Sequence, residues 1–228
     1  MPYKPRLLTA GLLLSLNAFA AQAASLSVNG FTTGLVYDSA SNITWTADAN
    51  LLASLESADS GLPAAIINDI GSITDSLGVH TLTTNDFSGG GAVTWWGAEA
   101  YVAYLNFVGY KGQTDWFLPS IAELTTLFST NLGELNGTSI SGQHNSDYSL
   151  FSNVQSWAYW SGNEYGPNPY YAVLWNSLYS GANGLVKDTH LYAWAALPGE
   201  VAAVVPEPGV LWLLAGGLLV CRSLRRSI

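Results

Sequence analysis

The side chains best suited to ligand chemistry lie in one short loop of the second half of the chain. Asn163, Glu164 and Asn168 bring one carboxylate and two amides onto a loop that Pro167 and Pro169 stiffen. Carboxylate and amide oxygens are the ligands that Ca²⁺ takes in proteins, so these three residues are candidate calcium ligands. Asparagine, glycine and proline are also what any tight loop requires, so a loop without a metal remains the alternative.

Aromatic side chains are a second candidate binding feature. They could form a stacking platform for sugar rings, because tryptophan and tyrosine combine an apolar face with a polar group. Alternate residues of a strand face the core, and this alternation predicts that Tyr159 and Trp194 are structural. The candidate set is Trp157, Tyr159, Trp160, Tyr170, Tyr171 and Trp175.

Catalytic patterns are absent from the sequence. His80, His144 and His190 are isolated, and no phosphate loop, zinc-binding His-Glu-x-x-His helix or Gly-x-Ser-x-Gly elbow occurs. The single cysteine is Cys221, so no intrachain disulfide can form. The sequence therefore predicts a protein that is not an enzyme. A hydrolase of envelope sugars, which needs two carboxylates in one cleft, is the alternative.

Hydrophobic periodicity predicts the elements that would position these residues. Strands are expected at Gly30 to Tyr37 and Ile43 to Trp45, joined by a turn, and a helix is expected over Pro63 to Leu77. A second helix should begin after Thr94 as its N-cap and end at Gly109.

A capping box gives the clearest local signal. Ser120 is followed three residues later by Glu123, after a strand-like Trp116 to Leu118 that Pro119 ends, and this pattern predicts a helix over Ile121 to Phe128. Residues 131–148 should form an irregular loop. Four further strands are expected at Trp157 to Ser161, Tyr170 to Asn176, Gly184 to Lys187 and Tyr192 to Leu197.

The charge of the central region excludes one class of partner. Between Ala24 and Val205 there are fifteen acidic residues and two lysines, Lys111 and Lys187, which gives a net charge of −13. Binding to phosphates depends on lysine and arginine, so nucleic acid is excluded as a partner. The charge is suited to keeping an exported protein soluble.

The last twenty-five residues form a tail in three parts. Val205-Pro206-Glu207-Pro208-Gly209 is an extended segment, because each proline disfavours the helical region for the residue before it. An apolar run then extends from Gly209 to Cys221, and Arg222, Arg225 and Arg226 follow it. This order resembles the PEP-CTERM sorting signal of Gram-negative bacteria.

The resemblance implies a processing route. Carriers of this signal are recognised by exosortase, a membrane-embedded protease or transpeptidase, and are exported to the envelope or extracellular matrix of polysaccharide-producing bacteria. An ordinary C-terminal membrane anchor is the alternative. The run would span only about 20 Å at about 1.5 Å per residue, against a hydrocarbon core about 30 Å thick, which favours a transient span.

The other end of the chain is typical of a secretory signal peptide. Lys4 and Arg6 precede an apolar run, and Ala21-Gln22-Ala23 is a cleavage site before Ala24. We therefore expect a signal peptide over 1–23, an exported domain over 24–203, and a sorting signal over 204–228 with its membrane segment at 209–221. The signal peptidase and the Sec translocon would be early partners.

A second resemblance covers most of the exported domain. Its motifs are Asp115-Trp116-Phe117-Leu118-Pro119, then Glu123-Leu124, then Tyr159-Trp160-Ser161, with Asp38 and Asn42-Ile43-Thr44-Trp45 before them. These resemble the Lcl C-terminal-type domain. That family is similar to C-type-lectin-like folds, which implies an α+β domain with two to three helices packed on a twisted antiparallel sheet, flanked here by the signal helix and the membrane helix.

One position departs from the family pattern. The family has arginine where this chain has Phe117. If that arginine pairs with a buried acid in the family, apolar packing replaces an ion pair here, and a function that needs the charge would be lost. Taken together, the sequence predicts an exported, non-enzymatic envelope or matrix protein that begins as an inner-membrane precursor. Its expected partners are exosortase, the membrane through the tail, and exopolysaccharide or surface proteins, and calcium is left open as a cofactor.

Overall fold

The residues that the structure describes form an α+β fold with four α-helices. A computed structural model describes residues 25–135, 139–176 and 181–202. The predicted signal peptide with its cleavage site at Ala21, Ala23 and Ala24, and the predicted sorting signal from Val205 to Arg226, lie outside the described residues. Among the described residues, no helix combines the length and apolar character needed to span a bilayer.

The α-helices lie between Leu51 and Thr125. The four helices are α1 (Leu51–Ala58), α2 (Leu62–Ile70), α3 (Trp95–Phe107) and α4 (Ile121–Thr125). A π-helical stretch, Thr126–Asn131, continues α4. As predicted, Thr94 caps α3 by accepting a hydrogen bond from the Gly97 N–H, and Gly109 follows the helix in the left-handed conformation with a φ of 60°.

The strands form three sheets rather than the one antiparallel sheet expected. The eleven described strands are β1 (Leu26–Val28), β2 (Leu35–Asp38), β3 (Ile43–Thr46), β4 (Ser72–Asp75), β5 (Gly78–Thr81), β6 (Ala92–Val93), β7 (Ala158–Glu164), β8 (Tyr171–Asn176), β9 (Gly181–Val186), β10 (Leu191–Tyr192) and β11 (Ala196–Pro198). Their orders are β1-β2-β3-β11, β6-β10-β7-β8-β9 and the hairpin β4-β5. The five-stranded sheet is mixed, because β10 runs parallel to β7.

Two hydrophobic clusters lie on opposite faces of the five-stranded sheet. Trp160 on β7 and Leu174 on β8 belong to the first cluster, with α1, α2 and α3. Their neighbours Tyr159 and Trp175 point to the other face, where they pack with the four-stranded sheet and Phe128. Both faces of these two strands are therefore covered where the clusters meet them, and the segments Ala158 to Trp160 and Ala172 to Trp175 are continuously apolar.

Three predicted elements are wrong, and one helix was not predicted. The helix expected over Pro63 to Leu77 ends at Ile70, because Gly71 leaves the helix with a φ of 74° and Ser72–Asp75 pairs with β5. Helix α1 was missed. The expected strand Tyr192 to Leu197 is two strands in different sheets, joined by Ala193-Trp194-Ala195.

The third wrong element is the strand at Trp116 to Leu118, which is reduced to one bridge. The Phe117 N–H donates to the Ala196 carbonyl at 2.9 Å, and the Ala196 N–H donates back at 3.1 Å. The predicted hairpin of β2 and β3 is confirmed, with Tyr37 opposite Thr44 and Asp38 opposite Ile43. Its first strand begins at Leu35 rather than at Gly30, because residues 30–34 form bends and turns.

Candidate functional site

The Asp115-to-Glu123 motif connects α3, α4 and β7. Trp116 is buried, its indole N–H donates to the Tyr110 carbonyl at 3.1 Å, and its backbone N–H and carbonyl both pair with the Asn106 side chain. Leu118 is also buried. The Pro119 carbonyl accepts from the Gly162 N–H at 2.9 Å. Asp115 is exposed.

The capping box works as the sequence predicts. The Glu123 N–H donates to Ser120 Oγ, and the Ser120 N–H donates to the Glu123 carboxylate at 2.6 Å. The two side chains thereby satisfy backbone donors that the first turn of a helix leaves without partners. Half-buried Phe117 packs against the second cluster, so its ring does supply apolar packing.

The Tyr159-Trp160-Ser161 motif is equally structural. Tyr159 Oη accepts from the Gln155 N–H at 2.7 Å, and the Trp160 indole donates to the Val93 carbonyl at 3.0 Å. Ser161 Oγ donates to the Val173 carbonyl at 2.7 Å. Each of the three side chains bonds β7 to a different segment. This role explains why three side chains with a hydrogen-bonding group follow one another on this strand.

The three candidate calcium ligands have separate partners. Asn163 Oδ1 accepts from the Ile121 N–H at 2.8 Å, and Asn168 Oδ1 accepts from the Tyr170 N–H at 3.0 Å. Glu164 forms an ion pair with Lys187 at 2.8 Å. Over the described residues, no three histidine, cysteine or carboxylate side chains are grouped as a metal site would require.

The aromatic set is divided between the core and the surface. Tyr159, Trp160 and Trp175 are buried, and Trp194 donates its indole N–H to the Thr46 carbonyl at 2.9 Å from inside the second cluster. The structural interpretation of Tyr159 and Trp194 is confirmed.

Two members of the set remain accessible. Trp157 is 59% exposed and Tyr170 is 64% exposed. Trp157 lines an open groove of about 390 Å³ together with Leu174, Leu185 and the amides Asn176 and Asn183. A six-residue stacking platform is therefore excluded, and Trp157 is the member of the set that both is exposed and lines a groove.

A buried lysine is the most unusual electrostatic feature. Lys187 is 1% exposed, and its ammonium contacts Asp75 Oδ2 at 2.6 Å and Glu164 Oε2 at 2.8 Å. It also lies 4.6 Å from the Trp95 ring centroid and 5.8 Å from that of Trp96, within the range of a cation–π interaction. A lysine is rarely buried this fully without paired charges.

The two carboxylates respond to the lysine in the same way. Burial alone would raise the pKa of Asp75, but hydrogen bonds from Lys187 and the Trp96 indole hold that pKa below its usual range. Burial opposes ionisation of Glu164 as well, and hydrogen bonds from Lys187 and Ser76 hold its pKa below the usual range. Both groups are therefore ionised at neutral pH.

His80 is not isolated, which corrects the sequence interpretation. Its Nε2 lies 3.0 Å from Asp86 Oδ1, and its ring stacks on Trp96 with centroids 4.0 Å apart. Asp86 also accepts from the Thr94 hydroxyl at 2.7 Å and from the Thr83 N–H at 2.8 Å. The carboxylate thus joins the hairpin to the start of α3.

A cleft of about 580 Å³ lies between β4, α3 and the Trp116 segment. Glu99 on α3 lines it, and its Oε1 would lie 3.6 Å from a Cβ atom placed on Gly162 of β7. The cleft is lined by Ser72, Ile73, Thr74, Trp95, Glu99, Val102, Ala103, Asn106, Trp116, Phe117, Leu118 and Gly162.

Glu99 is the chemically distinctive group of this cleft. Burial, with a smaller contribution from the nearby Glu164 carboxylate, raises the pKa of Glu99 to about 7. Its carboxylate makes no hydrogen bond or ion pair with any residue that the structure describes. No second carboxylate lines this cleft among those residues, so the pair that a glycoside hydrolase requires is not assembled within it.

Sequence reasoning missed both Glu99 and Lys187, although signals for them existed. Glu99 is the only charged residue of α3, in the run Trp-Trp-Gly-Ala-Glu-Ala-Tyr-Val-Ala-Tyr-Leu. Lys187 is one of two lysines in an acidic region and follows the apolar strand β9. A lone charge inside an apolar pattern is the signal that could have found them.

Comparison with known proteins identifies the domain but gives it no activity. No curated protein matches the chain. The family model described as the Lcl C-terminal domain matches residues 34–196, which include the Asp115-to-Pro119 and Tyr159-to-Ser161 motifs and both Glu99 and Lys187. The chain therefore belongs to the Lcl C-terminal domain family.

Proposed function

We propose that this chain is an exported, non-enzymatic protein of the cell envelope or extracellular matrix, sorted by exosortase, whose domain contacts polysaccharide. The observation that carries the proposal is the order of the tail: Val205-Pro206-Glu207-Pro208-Gly209, then the apolar run from Gly209 to Cys221, then Arg222, Arg225 and Arg226. This order fits a PEP-CTERM signal, whose arginines stay on the cytoplasmic side of the membrane.

The groove at Trp157 supports the contact with polysaccharide. An exposed indole that lines an open groove offers an apolar face on which a sugar ring can stack. We also propose the C-type-lectin-like architecture, which is supported by helices packed on a largely antiparallel sheet.

The sorting hypothesis is tested by changing the tail alone. Replacement of Pro206 and Glu207 by alanine, in cells that contain exosortase, should leave an uncleaved precursor in the membrane. The matched control is Ser223→Ala, which lies between the arginines and should be processed normally. Cleavage of the Pro206/Glu207 variant at the normal rate would contradict the proposal.

The polysaccharide contact is tested by Trp157→Ala in a co-sedimentation assay with the host exopolysaccharide. The bound fraction should fall at least fivefold. Tyr170→Ala, which removes an equally exposed aromatic ring outside the groove, should leave binding near the native level. Equal binding by the native chain and the Trp157 variant would exclude this groove as the contact.

A further inference from the structure

We propose that the cleft beside Glu99 binds a small organic molecule through its primary ammonium group. This cleft shares no lining residue with the Trp157 groove, so the two sites are independent. A volume of about 580 Å³ lies within the range of small-molecule sites, about 300–1,000 Å³. It is much larger than an ammonium ion alone requires, so the ligand has an organic body.

The charge of the ligand follows from the charges around Glu99. A carboxylate at the edge of a cleft and a second carboxylate, Glu164, close to it repel an anion. The domain has only two lysines to offset its acidic groups. Lys187 is held by Asp75 and Glu164, and Lys111 donates to the Thr33 carbonyl at 2.7 Å. A cation for Glu99 must therefore come from outside the part of the chain that the structure describes.

The hydrogen-bonding groups of the cleft favour a primary over a quaternary ammonium. Quaternary ammonium is recognised by open aromatic faces. Trp95 and Trp116 are 4% and 3% exposed, and their indole N–H groups donate to Ser161 and Tyr110 carbonyls. They form an apolar wall rather than an open cage. Glu99 instead supplies carboxylate oxygens, and Ser72 and Thr74, which also line the cleft, carry hydroxyl groups that can accept hydrogen bonds from N–H donors.

The wall also explains why one carboxylate can recognise a cation here. Within a partly desolvated cleft an ion pair is stronger than in water, and Glu99 loses part of its burial penalty when a cation reaches it. The ionised form of Glu99 is the form that binds. Because burial raises the pKa of Glu99 to about 7, the affinity for an amine should change near neutral pH.

The test is a titration of the full chain with pentylamine, followed by NMR or calorimetry. The amine resembles a lysine side chain, whose pKa is about 10.4, so it stays charged throughout the experiment. Binding should be about 30-fold tighter near pH 8.5 than near pH 5.5, as expected if only ionised Glu99 binds. The pKa values of Asp75 and Glu164 are lowered, so both stay ionised over this interval.

Two variants and two probes complete the design. Glu99→Gln should bind pentylamine at least tenfold more weakly near pH 8.5 and should lose most of the pH dependence. Glu200→Gln, the same change at an exposed glutamate, should behave as the native chain does. Pentanol and pentyltrimethylammonium should each bind the native chain at least tenfold more weakly than pentylamine.

Four outcomes would overturn the proposal, and none depends on the sorting of the chain. They are equal affinity for pentanol, equal affinity for pentyltrimethylammonium, an affinity of the native chain that does not rise with pH, and unchanged binding by Glu99→Gln. Three of these use only the native chain, so the proposal stays testable if the variant folds poorly.

Discussion

Replacement of Lys187 by methionine should strongly destabilise the domain. The side chain of Lys187 is fully buried, and that of Asp75, one of its two partners, is 2% exposed. Methionine keeps the volume of the side chain but removes the charge, so Asp75 would remain buried with only the Trp96 indole and the Leu77 N–H as donors. Removal of one member of a buried ion pair costs about 3–5 kcal/mol.

The second carboxylate should add less to this loss. The side chain of Glu164 is 29% exposed and also pairs with the backbone and hydroxyl of Ser76, so it retains solvent and two donors without the lysine. We therefore expect Lys187→Met to lower the free energy of unfolding by about 4 kcal/mol, mostly because of Asp75. Domains typically have a free energy of unfolding of about 5–15 kcal/mol, so this loss should clearly lower the urea concentration at the midpoint of unfolding near pH 7.

The pH dependence separates the lost ion pair from lost packing. The pKa values of Asp75 and Glu164 are lowered in the fold from ordinary values of 3.8 and 4.5. Their contribution to stability is therefore present above about pH 5 and is lost as the pH falls through the folded pKa values. The difference in unfolding free energy between the native chain and Lys187→Met should be largest near pH 7 and should decrease at lower pH as the carboxylates become protonated.

Two further variants test the reasoning. Lys111→Met removes the other lysine, which donates to a backbone carbonyl at the surface, and should change stability by less than about 1 kcal/mol. Adding Asp75→Asn to Lys187→Met removes the uncompensated charge and should restore much of the loss. A loss below about 1 kcal/mol, or one that is the same near pH 4 as near pH 7, would refute the electrostatic account.

Two other changes probe the walls of the cleft. Gly162→Ala would place a Cβ atom 2.6 Å from the Leu118 carbonyl oxygen, so it should cost about 1–3 kcal/mol in thermal or urea unfolding. Gly166→Ala, with open space around it, should cost far less, and equal losses would contradict the contact. Glu99 has a folded pKa of about 7 against an ordinary 4.5, so its carboxylate lowers stability as the pH rises through this interval. Glu99→Gln should therefore be more stable than the native chain by up to about 3 kcal/mol near pH 8 and similar to it near pH 4, and a variant less stable at both values would show that the charge is not the cause.

Signals confined to a few neighbouring residues were predicted correctly. The capping box of Ser120 and Glu123 needs only a spacing of three residues, and Thr94 as an N-cap and Gly109 as a helix end are likewise local. Where two local signals compete, the sequence does not show which prevails. Ile73 fits the helical spacing of α2, yet Gly71 ends that helix and the residue pairs with His80 in a hairpin.

The candidate cleft could not be predicted, because its parts are distant in the chain. The residues that line it extend from Ser72 to Gly162. The ion pairs of the nearby Lys187 are also distant, because it meets Asp75 across 112 positions and Glu164 across 23. Asn163, Glu164 and Asn168 form a plausible metal loop as a sequence, but their oxygens accept hydrogen bonds from the Ile121 N–H, from Ser76 and Lys187, and from the Tyr170 N–H. Whether a polar side chain can bind a metal depends on the hydrogen-bond partners that the fold places beside it, and these partners cannot be identified from the sequence.

The buried lysine also bears on the cleft that it does not line. Its partner Asp75 ends β4, whose residues Ser72 to Thr74 line one wall, and its partner Glu164 ends β7, which brings Gly162 to another. One ammonium thus joins two walls that come from different sheets. It also offsets the charge of Glu164, the carboxylate that acts on Glu99. Lys187 therefore stabilises the shape of the cleft and moderates its negative potential, while Glu99 remains available to a cation from outside.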